Sequence, residues 1–204
     1  MLLFDIGANV GLWALNNYTA TTKIISVEAS PTTFLTLQKN TSGKDITCLN
    51  YAVTNSSDPT VNFFESSANV LSTLDESWLN DPSSRFFNKT TYKKIEVNAI
   101  TLDKLIDDYG IPDLLKVDVE GAENIVLKSL TRKVPIVCFE WASEWNKKTV
   151  EAIHHLCSLD YTKFHIQLAD NYTYRPSSYE LTQEAVLSNI SSKKGLEWGM
   201  IWAI

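Results

Sequence analysis

The chain has 204 residues, 44% hydrophobic and 21% charged, with a formal net charge of −6. That is the composition of a soluble globular protein and the length of one domain, over 1–204, with little left for a second. The acidic balance disfavours nucleic acid, since Lys93-Lys94, Lys147-Lys148 and Lys193-Lys194 are isolated pairs rather than a basic run, and no apolar run is long enough to span a bilayer.

The first strand and its exit read Leu2-Leu3-Phe4-Asp5-Ile6-Gly7-Ala8-Asn9-Val10-Gly11-Leu12. A short apolar run of the buried parallel type gives way to Gly-x-x-x-Gly, a tight turn that feeds a helix over 10–18. Such a loop lets a small ligand approach the main chain, with the N–H groups of the helix start turned toward it. The second strand, Lys23 to Ala29, ends in Glu28. Ser30-Pro31 opens a helix to Asn40, and 45–53 forms a third strand, so two crossovers of a doubly wound sheet are in place.

From 54 to 92 the helical period disappears. Val61 to Glu65 reads as one strand of a hairpin, and 66–92 as a polar loop whose Trp78, Phe86 and Phe87 either stack on a sugar face or anchor the loop to the core. Order returns with a strand over 95–100 and a helix over 101–109, capped by Thr101 and closed by Gly110. A fourth sheet strand and its exit cover 113–121, followed by a helix over 122–130, a fifth strand over 134–141 and a helix over 147–159. The strands at 162–168 and 199–204 lack a convincing helical crossover and are expected to run antiparallel at the sheet edge. The expected fold is α/β: a Rossmann-like, doubly wound, mostly parallel seven-stranded sheet with a hairpin and loop inserted between its third and fourth strands.

Cys48, Cys138 and Cys157 lack metal-type spacing and read as buried thiols in a reducing, cytoplasmic compartment. No signal peptide precedes the first strand, so sequons such as Asn88-Lys89-Thr90 are expected to be unmodified. The chain is either a compact enzyme or a domain cut from a longer protein.

Ligands of open α/β sheets bind beyond the carboxyl ends of the strands. The residues there are unusually acidic: Asp5, Glu28, Asp118, Glu120 and Glu140. Unpaired buried charge is costly, so these are working residues or paired ones, with Lys116 the natural counter-ion of Asp118. A dinucleotide site wants Gly-x-Gly-x-x-Gly, but Asn9 stands at its second glycine, which argues against a dehydrogenase. An acid two residues before Gly7 suits instead a ligand carrying ammonium and sulfonium groups, such as S-adenosylmethionine, and Glu28 suits its ribose hydroxyls. His154, His155 and His165 fall away from this edge and read as ordinary surface or core residues.

Phe4-Asp5-Ile6-Gly7-Ala8-Asn9-Val10-Gly11, Val27-Glu28-Ala29-Ser30-Pro31, and Thr101-Leu102-Asp103 leading into Leu115-Lys116-Val117-Asp118-Val119-Glu120-Gly121-Ala122-Glu123 together resemble the FkbM family of S-adenosylmethionine-dependent methyltransferases. The resemblance implies the class I methyltransferase fold and O-methylation of hydroxyl groups, often on sugars of glycans or glycosylated natural products. It implies that Asp5, Gly7, Asn9 and Gly11, with Ala8 alongside, hold the methionine portion, and that Glu28 and Ala29 hold the ribose. Relatives usually carry a covering segment before the first strand, and this sequence begins at that strand.

An alcohol is a poor nucleophile at neutral pH, so transfer needs a base, a metal or tight in-line placement. Asp118 is the first candidate for base or metal ligand, with Glu140 able to share the task. Asp118, Glu120 and Glu140 are the candidate ligands of Mg²⁺ or Mn²⁺. The reading is therefore an O-methyltransferase acting on a small-molecule or glycan acceptor, plausibly a deoxyhexose such as rhamnose. The alternative is a non-catalytic cofactor-binding module that supports a partner domain.

Overall fold

A computed structural model describes residues 1–204. In chain order the elements are β1 (Leu2–Ile6), α1 (Leu12–Asn17), β2 (Lys23–Val27), α2 (Pro31–Thr41), β3 (Ile46–Leu49), β4 (Ala52–Val53) and β5 (Thr60–Ser66). There follow α3 (Ser77–Asn80), β6 (Tyr92–Ile100), α4 (Leu102–Tyr109), β7 (Leu114–Val117), α5 (Glu123–Leu127), β8 (Val137–Ala142), α6 (Asn146–Ser158), β9 (Phe164–Leu168), α7 (Gln183–Ser192) and β10 (Trp198–Ala203).

The main sheet has seven strands in the order β3-β2-β1-β7-β8-β10-β9, parallel except for β10, which runs antiparallel between β8 and β9. The expected doubly wound sheet is thus present, with its strand order reversing between β1 and β7. Side chains alternate between the faces, as the strand pleat requires. Phe4, Ile6, Leu115, Val117 and Phe139 pack with α4, α5, α6 and α7 into the larger core. Leu3, Leu114, Cys138 and Trp202 pack on the other face with Trp13 and Ala14 of α1.

Local capping explains why several helices start where they do. Ser30 Oγ accepts from Thr33 N (3.1 Å) ahead of Pro31, and the Thr101 hydroxyl accepts from Lys104 N (3.1 Å). Other boundaries depart from the sequence reading. The helix expected over 10–18 is shorter, because the chain is still turning at Gly11, and that expected over 122–130 is only α5. The third strand is broken after Leu49: the Asn50 side chain donates to the carbonyls of Glu28 (2.8 Å) and Ala29 (3.1 Å), and the chain then leaves the main sheet. β4 pairs with β6, which pairs antiparallel with β5, so the insertion carries its own three-stranded sheet. Between β9 and β10 lies α7, a helix the sequence reading lacked. Only Val186 and Ile190 of its residues are fully buried, too narrow an apolar stripe to stand out among polar neighbours.

Two smaller expectations also change. Of the three free cysteines only Cys138 is buried; Cys48 and Cys157 are half-buried, because they lie at the outer strand β3 and on the outer flank of α6. The loop over 66–92 contains a 3₁₀ turn at Asn69–Leu71 and α3, and Trp78 is an anchor, buried against Phe86 and Trp145.

Phe139 is fully buried at the centre of the larger core. Phe139→Ala is expected to cost about 3–5 kcal/mol, read as a lower urea midpoint with an unchanged slope.

Candidate active site

β1 and β7 meet where the strand order reverses, and their register sets Asp5 directly opposite Lys116. Both side chains are buried on the face shared with Trp13. Lys116 Nζ lies 3.4 Å from Asp5 Oδ1 and 3.1 Å from Asp118 Oδ2. Burial disfavours the ammonium, but Asp118 and Asp5 outweigh it and hold Lys116 above the ordinary lysine range. Burial pushes the Asp5 carboxyl up, with Lys116 opposing. Asp5 is 0% exposed, so it reaches the cleft only through Lys116, whereas Asp118 opens onto the cleft directly.

Gly7 follows β1 in a left-handed conformation, φ 79°, and a Cβ on it would strike the Asp118 carbonyl oxygen. Only glycine allows the two strand exits to close on each other. Gly11 stands outside the cleft lining and lies against Leu37 of α2. The N–H groups expected to face a ligand are used internally. Gly7 N and Ala8 N both donate to Val27 O at 3.0 Å, and Asn9 N donates to Glu28 Oε2 at 2.9 Å. The Glu28 carboxylate also accepts from Ser30 N (2.8 Å); it is 7% exposed, and burial raises it to about 7 against these two hydrogen bonds.

Ala8, Asn9, Glu28 and Ala29 line one end of a cleft of about 1050 Å³, beside the apolar Val53, Phe63, Leu71 and Leu74. A buried acid and apolar walls are a set that fits the nucleoside of S-adenosylmethionine, a carboxylate for a diol and walls for a flat base, in a cleft whose acidic lining suits a cationic ligand. The other end is lined by Asp118, Glu120, Glu140, Arg85, Phe86, Asp170, Tyr172 and Trp198, with Tyr172 and Trp198 each 38% exposed.

The exit of β7 folds back through two successive left-handed residues, Glu120 (φ 58°) and Gly121 (φ 85°). Trp78 lies so close over Gly121 that a Cβ there would come within 2.6 Å of its ring, and its indole Nε1 donates to Glu120 Oε2 (3.1 Å). The turn brings Glu123 back under it, where Glu123 Oε1 accepts from Val119 N (3.0 Å) and Gly121 N (3.3 Å). The three acids whose oxygens gather within 4.8 Å of one another are Asp118, Glu123 and Glu140. Glu123, the first residue of α5, stands in this group where the sequence analysis named Glu120 as the candidate. Burial and mutual repulsion with Asp118 push Glu120 and Glu140 well above the usual carboxylate range, and burial raises Glu123 to about 7. The Glu-Gly-x-Glu spacing was the signal for Glu123, legible once two left-handed residues are placed in sequence. Asp170, which joins the cleft from the loop after β9, carried no such signal.

The histidines stand elsewhere, as expected: His155 Nε2 pairs with the Leu130 carbonyl (2.9 Å) and His165 Nε2 with the Tyr174 hydroxyl (2.6 Å).

A family model described as the methyltransferase FkbM domain matches residues 5–176. A search of curated proteins gave no match. Among solved structures, the precorrin-6y C5,15-methyltransferase of Geobacter metallireducens is similar to this chain, with a TM-score of 0.51 and 10% identity over 100% of this chain and 79% of that one. The precorrin-8w decarboxylase of Methanobacterium thermoautotrophicum gives a TM-score of 0.50 and 10% identity over 100% and 81%. At these identities the likeness establishes the fold.

The Glu28 carboxyl yields a pH prediction. A folded pKa of about 7, above the 4.5 of the free acid, means that the folded state holds the extra proton between these values. Stability from this group is therefore full below about pH 4.5 and is lost as pH rises through 7, a change on the order of 3 kcal/mol. Urea midpoints measured from pH 5 to 8 should fall in the wild type, and Glu28→Gln should flatten that fall.

Proposed function

The chain belongs to the FkbM family of S-adenosylmethionine-dependent methyltransferases, and from that premise we propose that it methylates a hydroxyl group of a sugar, a deoxyhexose such as rhamnose within a glycan. The observation that supports this reading is the second end of the cleft. Tyr172 and Trp198, each 38% exposed, line the same cleft as Asp118, Arg85, Asp170 and Asn171, and aromatic side chains among polar groups suit the two-sided surface of a saccharide. Phe86 borders the cleft as well, and so does Trp78, which is 2% exposed.

When bound, S-adenosylmethionine supplies an electrophilic methyl group on a sulfonium. Glu28 and Ala29 would hold its ribose, and Ala8 and Asn9 its neighbouring portion. Asp5 contributes through Lys116, and Gly7 and Gly11 contribute by letting the loop close. On the acceptor side Asp118 takes the proton that the hydroxyl loses as its oxygen gains the methyl group, and Lys116 at 3.1 Å holds the Asp118 side chain in place. Glu140 borders the same space and can share the proton. We read 1–204 as one catalytic unit, and the net charge of −6 fits a small-molecule or glycan acceptor better than a nucleic acid.

Titration with S-adenosylhomocysteine, in parallel with NADH, tests the cofactor assignment: the first should bind and the second should not. In a screen of sugar acceptors, Asp118→Asn should keep the affinity for S-adenosylhomocysteine within about threefold and lower kcat by about 10²-fold or more. An unchanged kcat would remove Asp118 from the role of base.

A further inference from the structure

We infer that Asp118, Glu123 and Glu140 form a binding site for one hard divalent cation, Mg²⁺ or Mn²⁺, at the floor of the acceptor end, with Asn124 held beside it. The site stands on its own geometry, and its use in catalysis rests on the methyl-transfer reading.

The donor set comes first. One carboxylate oxygen from each acid lies within 4.8 Å of the other two, a spacing compatible with oxygens around a single ion at bond lengths of about 2.0–2.5 Å. All three donors are oxygen, which selects Mg²⁺, Mn²⁺ or Ca²⁺ over softer metals. They come from three different elements, the exits of β7 and the strand β8 and the first residue of α5, so the sheet fixes their separation.

Charge is the second argument. Glu120 adds a fourth carboxylate, and the cations in reach are already engaged: Lys116 with Asp5 and Asp118, and Lys148 with Asp75 and the Trp145 ring. Acids gathered in a partly desolvated corner without a free counter-charge repel one another, and a divalent ion removes that repulsion.

The independent observation is Asn124. It is 8% exposed, and its Nδ2 donates to Glu151 (3.0 Å), which fixes the amide so that Oδ1 faces the other way. That oxygen has no hydrogen-bond partner. Asn124, Glu123, Glu140 and Lys148 border a void of about 10 Å³, about the space of one water, as do Trp141 and Trp145, whose indole N–H groups also have no partner. An unused buried acceptor and two unused donors around one water-sized space, against two of the three acids, are accounted for by an ion that carries an ordered water there.

The test is titration of the EDTA-stripped full chain with MnCl₂, following the resonance of free Mn²⁺. The expected result is saturable uptake of one ion per chain, displaced by Mg²⁺. Glu123→Gln and Glu140→Gln should each weaken uptake about tenfold or more, and Asn124→Leu several-fold, whereas Glu120→Gln should change it by no more than about threefold, since that carboxylate is turned to Trp78. No saturable uptake below about 1 mM, or uptake that survives Glu123→Gln, overturns the site. Because such variants can fail to fold, the wild-type thermal midpoint is the second readout. It must rise with MgCl₂, by mass action on the folded form, and an unchanged midpoint overturns the site. S-adenosylhomocysteine binding, measured in EDTA on the same sample, keeps the two claims apart: binding without Mn²⁺ uptake removes the ion site alone.

Discussion

Two ionisable side chains face each other across the middle of the main sheet, between two of its central strands. The β1–β7 register places Asp5 against Lys116, and neither has more than a trace of exposed surface. Burying an ion pair recovers little net stability, because desolvation of both groups offsets their attraction, and removing one partner leaves the other stranded. Such a pair is better understood by what it positions. Lys116 reaches past Asp5 to Asp118, so the charge at the centre of the sheet is carried to the residue that opens onto the cleft. The strand order reverses at the same point, and the Gly7 turn closes over the Asp118 carbonyl there. Sheet topology, the glycine and the acid are three parts of one junction.

The insertion depends on this junction without belonging to the main sheet. It is tied at the Glu-Gly turn by Trp78, at the far side by the two-pronged pairing of Arg85 with Glu144, and at the glycine loop by Asn69 Nδ2 donating to Asn9 Oδ1 (2.7 Å). These ties close the cleft's outer wall, with Leu71 and Phe86 as its inner surface. Trp78, almost fully buried, borders the cleft while it holds the Glu-Gly turn in place. Its burial also explains Gly121: any side chain at that position would displace the indole that holds Glu120.

The parts of this arrangement that were legible in the sequence are those with short-range causes. The apolar run before Gly7, the caps at Ser30 and Thr101 and the alternation of strand with helix all act within a few residues, so their consequences could be read in place. The doubly wound, mostly parallel character of the main sheet followed from those units and from the handedness of crossovers. What was not legible depends on contacts between distant segments. β3 ends where Asn50 finds the carbonyls of Glu28 and Ala29, α7 is held by two apolar residues against a core built elsewhere, and β4, expected as the end of the third strand, pairs with β6 instead. At the site, the sequence offered Glu120 rather than Glu123 as the partner of Asp118 and Glu140, and only the backbone turn through Glu120 and Gly121 brings the Glu123 carboxylate back to them.

The glycine loop shows how such a site can keep its fold while its ligand contacts vary. The main-chain N–H groups of Gly7 and Ala8 are spent on Val27, and that of Asn9 on Glu28, so the loop is held closed by the sheet itself. What this part of the cleft offers a ligand is then side chains and shape, among them the Glu28 carboxylate and the apolar wall contributed by the insertion. The same insertion supplies Arg85 and Phe86 to the acceptor end. One segment thus borders both ends of the cleft, and a change in its packing alters the two together, while the β1–β7 junction that carries Asp118 stays where the ion pair fixes it.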